Sequence, residues 1–253
     1  MIPALLIGRK GSVGFPGKNT YPVLGRPLTY YPLMAAKNSE HVDEIYVSTD
    51  CPEIKKITTA YEAILIDRPA ELCTNKALGE DVFVHGYKHI RYTLKKDVEM
   101  IVLLHCNSAT LTTELINEGI AALRKDPSLD SATSVSAYNM WSPIRARKIN
   151  KDNLLDPFVP FAAYGDPAQI NCDRDSFGDV WFADMAVSIV RPRCLEHIHE
   201  GLLPQRWMGK RIYPLKQWGG CDVDGEWQIP QVEFWLKKHN ITEARANEHY
   251  QKT

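Results

Sequence analysis

Three basic side chains, Arg9, Lys10 and Lys18, stand close together near one end of the chain, and two carboxylates, Asp222 and Asp224, stand two residues apart near the other. The first group can hold an anion and the second can hold a hard cation. The basic group lies where the apolar run Ile2 to Ile7 breaks into eleven residues, Arg9 to Asn19, that contain three glycines, three cations and a proline. Buried parallel strands read as near-continuous apolar runs, and open α/β sheets bind ligands beyond the carboxyl ends of their strands. Glycines let a backbone approach a ligand closely and turn its N–H groups towards it. Gly8, Gly11, Ser12, Gly14 and Asn19, together with the three cations, therefore read as a phosphate-binding loop, with an ordinary glycine-rich turn as the competing reading. A P-loop is excluded because Asn19 stands where Ser or Thr would hold magnesium. A dinucleotide fingerprint is excluded by the glycine spacing of Gly11-Ser12-Val13-Gly14.

The acidic group lies in Gly219-Gly220-Cys221-Asp222-Val223-Asp224-Gly225-Glu226. Alternation along a strand puts Asp222 and Asp224 on one face, so both carboxylates reach one magnesium ion, and phosphate oxygens and waters would complete its shell. Asp-x-Asp alone reads first as a solvated turn.

Elements that would position these groups follow from periodicity. Strand patterns occur at Glu44–Asp50, Ala63–Ile66, Met100–Leu104, Ala132–Ser136, Val180–Val190 and Arg211–Leu215. Helical patterns occur at Pro27–Lys37, Pro52–Tyr61, Gly79–Lys95, Leu111–Arg124, Arg191–Glu200 and Trp227–Lys238. Strand and helix alternate, which predicts a single, mostly parallel sheet with right-handed crossovers and helices on both faces. The stretch 137–179 is irregular and rich in aromatics and turn residues, and reads as a lid, a dimerisation insertion or long loops.

At 253 residues the chain is long enough for one large α/β domain. With 30 basic against 31 acidic residues it shows no footprint of a nucleic-acid surface. No apolar run approaches the roughly 20 residues of a membrane span. There is no charged start and cleavage site of a signal peptide, and the six scattered cysteines form no CxxC pair. These features point to a cytoplasmic protein with free thiols. His85 and His89, and His197 and His199, lack a third ligand at zinc spacing and read as packed or solvated histidines. Tyr30-Tyr31 reads as core or interface rather than as a base-stacking platform.

Gly8-Arg9-Lys10-Gly11-Ser12-Val13-Gly14-Phe15-Pro16-Gly17-Lys18-Asn19 resembles the signature loop of the acylneuraminate cytidylyltransferases, the CMP-sialic acid synthetase family. That loop usually reads Ala-Arg-x-x-Ser-Lys-Gly-x-x-x-Lys-Asn. Arg9, Ser12, Gly14, Lys18 and Asn19 match, whereas Val13 stands in place of the family lysine, and Lys10 could supply that charge from the other side of the loop. The family carries Asp-Ile-Asp just before its last helix, the place that Asp222-Val223-Asp224 takes here. Asp67-Arg68-Pro69-Ala70-Glu71-Leu72 resembles its Arg-Pro-x-x-Leu segment, which implies Arg68 near the nucleotide, against a surface pairing role. Leu103-Leu104-His105-Cys106-Asn107-Ser108 sits where the family has Leu-Leu-Gln-Pro-Thr-Ser, facing the sugar. The resemblance thus offers His105, Asn107 and Ser108 as substrate contacts. Arg145 and Arg147 fall where a basic residue meets the sugar carboxylate, with a solvated basic face as the alternative. Arg174 and Asp184 fall where the family keeps an arginine and a sugar-contacting asparagine.

The resemblance implies a Rossmann-like nucleotidyltransferase fold. It also implies an enzyme that joins CMP from CTP to an acidic 2-keto sugar, sialic acid-like or Kdo-like, and releases pyrophosphate. Arg9 and Lys18 would offset the departing charge, and Asp222 and Asp224 would hold magnesium. Asn19 and backbone groups would read the base and ribose. A homodimer is implied as well, with the irregular middle region crossing to the partner. Two rivals remain: an enzyme that uses another nucleoside triphosphate or sugar, and a nucleotide-sugar-binding homologue without catalysis.

Overall fold

The alternating pattern forms, in a computed structural model that describes residues 1–173 and 178–241, a seven-stranded sheet flanked by helices. Strand β1 (Pro3–Ile7) leads through the glycine-rich loop to a short hairpin, β2 (Pro22–Val23) and β3 (Arg26–Pro27), and to helix α1 (Tyr30–Lys37). Then β4 (Glu44–Thr49), α2 (Pro52–Ala60), β5 (Ile64–Asp67), α3 (Gly79–Lys88), β6 (Ile101–His105), α4 (Thr113–Lys125) and β7 (Ser131–Ala137) alternate. A second hairpin, β8 (Arg147–Ile149) with β9 (Leu155–Pro157), precedes the long strand β10 (Trp181–Val190), and α5 (Pro192–Glu196), β11 (Ile212–Gln217) and α6 (Ile229–Lys238) close the order.

The sheet runs β11-β7-β10-β6-β1-β4-β5. Only β10 opposes its neighbours; β1 pairs in parallel with β4 and β6, β4 with β5, and β7 with β11. Both faces are buried, as a parallel sheet requires. Along β1, Ala4 and Leu6 enter one core with α1, α4 and α6, while Leu5 and Ile7 enter the other with α3 and α5. Val102 and Leu104 against Ile101 and Leu103 repeat the division on β6. This is why these strands show no polar alternation in sequence. The chain moves outward from β1 through β4 to β5 and then returns to β6 on the other side of β1. The strand order therefore reverses between β1 and β6, a topological switch point at which their carboxyl ends lie side by side.

Several boundaries differ from the sequence pattern. Helix α1 begins at Tyr30, and Pro32 falls in its first turn, where no intrahelical N–H bond is lost, so it neither bends nor restarts the helix. Helix α3 stops at Lys88, and its amphipathic pattern continues to Thr93 as a π turn. Tyr30 and Tyr31 are core residues packed edge to face at 5.4 Å. All six cysteines are free thiols. The stretch after β7 carries mostly 3₁₀ turns and the β8–β9 hairpin, and it leaves Met140, Trp141, Ile149, Leu154, Leu155 and Phe158 more than half exposed. Among the described residues no helix is long and apolar enough to cross a membrane.

Candidate active site

A cavity of about 390 Å³ lies beyond the carboxyl ends of β1 and β6, where the switch point places a crevice. One wall is the loop after β1. Its backbone enters over Gly8, where the Cβ of any other residue would lie 2.5 Å from Cys106 Sγ and 2.9 Å from Ile54 Cδ1. The family's alanine does not fit there because Cys106 has filled the space. Phe15 packs against the core and against the ring of Tyr21 at 5.0 Å, anchoring the loop's far side. Asn19 ties the two ends together: its side-chain amide donates to Arg9 O at 3.1 Å, and its own carbonyl accepts from Thr29 N and Oγ. Asn19 lines the cavity, and its side-chain amide also holds the loop through Arg9 O.

The loop meets the acidic segment directly. Gly14 approaches so closely that a Cβ would lie 3.0 Å from Asp224 O, and Lys18 Nζ bonds Asp224 Oδ1 at 2.5 Å. The two ends of the chain thus close one ring around the cavity. Asp222-Val223-Asp224 is not a strand; it is extended chain between β11 and α6. Strand-like alternation survives because buried Val223 anchors it, donating its N–H to Asn107 O at 3.0 Å while its own carbonyl accepts from Asn107 Nδ2 at 2.9 Å. Asp222 accepts from the same amide at 3.4 Å, and Gln228 braces the turn from α6 through the N–H groups of Asp224 and Gly225.

Burial pushes the Asp222 carboxyl pKa up, and the charge of Asp224 pushes it further; Lys18 and the Asn107 amide only partly oppose them. Two carboxylates that act on each other's charge, with Lys18 bonded to Asp224 alone, form an oxygen donor set with unbalanced negative charge. That is the chemistry of a magnesium site, so the residues present fit this ion.

Cations oppose them across the cavity. Arg68 reaches in from the end of β5, with Nε 3.2 Å from Ser48 Oγ and its Nη2 donating to Ser48 O. Burial lowers its pKa, and Asp50 partly offsets this, so a guanidinium stands there with its charge under-compensated. Arg9 is held by Gly11 O at 3.3 Å and by Asn75 Oδ1. His105, at the end of β6, lines the same space; burial pushes its imidazole down to about 4.

The structure thus brings Gly8, Arg9, Ser12, Gly14, Lys18, Asn19, Arg68, His105, Asn107 and Asp224 to one cavity, with Asp222 behind Asn107. Other expected residues lie elsewhere. Lys10 is exposed outside the cavity, its N–H on Asp50 Oδ1 at 2.8 Å and its charge acting on Glu53. Gly11 sits on the loop with φ at 80° but does not line the cavity. Ser108 is fully buried in the turn after β6 and does not reach the cavity; its Oγ has no partner. Asp184 is buried in the sheet, where Ser134, Ser136 and Gln217 donate to its carboxylate at 2.5, 2.7 and 2.9 Å. Arg145 and Arg147 line a separate cavity of about 500 Å³ in the region after β7, Arg145 bonded to Cys172 O at 2.7 Å and Arg147 over the Phe161 ring at 5.3 Å. Arg174 lies outside the described residues. Sequence reasoning missed the wall made by Leu72, Ala77, Gly79 and Val82, and the brace on Arg9 from Asn75. The helical onset at Gly79 and the Arg-Pro-x-x-Leu segment that ends at Leu72 were its only signals.

Fold and cavity together define an open α/β protein with a basic, glycine-rich loop at its switch point. The chain belongs to the cytidylyltransferase family, whose model matches residues 3–155. Among curated relatives, the N-acylneuraminate cytidylyltransferase of Escherichia coli O18:K1:H7 is 29% identical over 143 residues, 56% of this chain and 33% of that protein. The 3-deoxy-manno-octulosonate cytidylyltransferase of Bdellovibrio bacteriovorus is 27% identical over 158 residues, 62% of this chain and 58% of that protein. The match therefore spans a third to somewhat over half of these relatives' length. A solved structure of CMP:2-keto-3-deoxy-manno-octonic acid synthetase complexed with CTP superposes with a TM-score of 0.65 over 94% of this chain and 99% of that one, at 16% identity. A 4-diphosphocytidyl-2C-methyl-D-erythritol synthase gives 0.63 over 93% and 98%, at 11% identity. Both share the fold.

Proposed function

We propose that this chain transfers CMP from CTP to an acidic 2-keto sugar, sialic acid-like or Kdo-like, by in-line attack of a sugar hydroxyl on the α-phosphate, with release of pyrophosphate. The observation that carries the reading is the contact of Lys18 with Asp224, which joins a phosphate-type loop to a carboxylate pair across one cavity. The names of the relatives, and the CTP complex among structures of the same fold, support the choice of nucleotide and of acidic sugar.

In this mechanism the loop N–H groups and Ser12 hold the triphosphate, and Arg9, Lys18 and Arg68 stabilise charge that develops as pyrophosphate leaves. Lys18 exchanges Asp224 for a phosphate oxygen when nucleotide enters. Asp222 and Asp224 would hold magnesium, which supplies electrostatic stabilisation of the phosphate and lowers the pKa of the attacking hydroxyl. Asp224, the carboxylate of the pair that lines the cavity, can accept the hydroxyl proton. We further propose that the chain works as a homodimer through the exposed apolar side chains of the region after β7. A second reading, a homologue that binds nucleotide sugar without turnover, is favoured by Val13, which is 74% exposed where the resembled family has lysine.

Substitution separates the two readings. Asp224→Asn is expected to lower turnover by roughly a thousandfold or more, as loss of a group acting on the transition state does, with melting temperature and CTP binding retained. Turnover undiminished in that variant would contradict the mechanism.

A further inference from the structure

Lys18 and Asp224, which the reaction above uses separately, bond each other at 2.5 Å, and the two partners differ in how firmly they are held. The carboxylate side is built into the fold. Cys221 N–H donates to Thr110 Oγ at 2.9 Å, and that hydroxyl donates to Cys221 O at 3.0 Å. Asn107 clamps Val223 through both its backbone groups. Gln228 Oε1 accepts from the N–H groups of Asp224 and Gly225 at 2.7 and 2.8 Å, while its Nε2 donates to Asp222 O at 2.9 Å. Gly14 lies so close to Asp224 O that a Cβ would come within 3.0 Å of it. The lysine is held only at its root. Its backbone opens a 3₁₀ turn, Lys18–Thr20, and among the described residues Asp224 is the only group its ammonium bonds. Four rotatable carbons carry that ammonium, so Lys18 can leave the contact without breaking a backbone bond, whereas the Asp224 backbone cannot shift without doing so.

An ammonium and a divalent cation compete for the same carboxylate oxygen. A magnesium ion needs its oxygen ligands at about 2.0–2.1 Å, and a lysine bonded to one of them both blocks its approach and repels its charge. We propose that Lys18 is a built-in competitor for the divalent cation at Asp224, and that a nucleoside triphosphate, by drawing the ammonium onto its phosphate oxygens, opens the carboxylate pair to the metal. The inference rests on the cytidylyltransferase reading and describes how its site is regulated. The metal then loads with the nucleotide and not before it, and by linkage it tightens nucleotide binding by the same factor. Arg9 does not share this role. It also lines the cavity, but its guanidinium bonds Gly11 O at 3.3 Å and Asn75 Oδ1, and neither carboxylate.

Binding of Mn²⁺ to the full chain, read by electron paramagnetic resonance without sugar, tests this apart from turnover. Lys18→Met keeps an unbranched stem and removes the charge; without nucleotide it should bind Mn²⁺ roughly tenfold tighter than the wild type. Lys18→Met with Asp224→Asn should lose that gain. Arg9→Met removes a like charge from the same cavity without freeing a carboxylate, and should change the affinity by less than about threefold. Equal affinities in the wild type and Lys18→Met, or as large a gain in Arg9→Met, would overturn the competition. CTP supplied as its exchange-inert cobalt(III) complex, whose coordinated phosphates are closed to Mn²⁺, should tighten Mn²⁺ binding roughly tenfold in the wild type and leave Lys18→Met unchanged. No tightening in the wild type, or equal tightening in both, would overturn the coupling. Sugar turnover by a chain whose Mn²⁺ affinity ignores Lys18 would overturn this inference and leave the transferase reading standing. The expected affinities with no sugar turned over would do the reverse.

Discussion

At the scale of single residues, the cavity is governed by groups held away from their ordinary protonation balance. His105 titrates near 4 in the folded chain and near 6.5 when unfolded, so the unfolded state takes the proton first. The stability it contributes is complete above about pH 6.5, falls as pH drops towards about 4 and is level below that, a loss of up to about 3 kcal/mol. Thermal melts at about pH 7 and about pH 4.5 should therefore show a larger loss for the wild type than for His105→Gln, and equal losses would contradict the buried neutral ring. Asp222 acts in the opposite sense, since its carboxyl is raised, but it is common to both proteins and cancels in the comparison. Among these residues, Arg9, Lys18, Asp222 and Asp224 were legible in sequence because charge type and short spacing carried them. Asp184 was not, because its role depends on serines fifty and forty-eight positions away on another strand.

At the scale of elements, the ends of β1 and β6 fit each other as a pair. Gly8 lies under Cys106, and a Cβ at Gly8 would clash with both Sγ and Cβ of that cysteine and with Ile54. Gly8→Ala is expected to cost about 1–3 kcal/mol by overpacking. Gly8→Ala with Cys106→Ala should recover most of that loss, since residues in contact do not add independently. Denaturant unfolding of the two single variants and the double variant measures the coupling; strict additivity would show that the two strand ends are not packed as described. Two separate departures from the resembled pattern, glycine for alanine and cysteine for proline, thus become one substitution pair once β1 and β6 are neighbours. Strand and helix identity was read correctly because the apolar periods are strong. The Asp-x-Asp segment was misread as a strand because Val223 gives it strand-like alternation through a single anchor on Asn107 rather than a ladder.

At the scale of the whole molecule, the sheet order brings residues about two hundred positions apart into the Lys18–Asp224 contact, and it leaves the region after β7 outside the core. Ile149 and Leu155 face each other across the β8–β9 pair and are each 70% exposed. The homodimer proposed above would use this exposed apolar cluster as its association surface. Light scattering should give a dimer for the wild type and a monomer for Ile149→Glu/Leu155→Glu with its fold intact; a monomeric wild type would contradict the assembly. Periodicity had little purchase on this region, since short turns and a three-residue hairpin carry no repeat long enough to read. The central claim is tested most directly by pyrophosphate release in the presence of magnesium, with each of the four nucleoside triphosphates set against a panel of eight- and nine-carbon 2-keto sugar acids. The proposed function predicts release with CTP and an acidic sugar, and with neither alone. Bound CTP that no sugar consumes, or release driven by a different triphosphate, would contradict it.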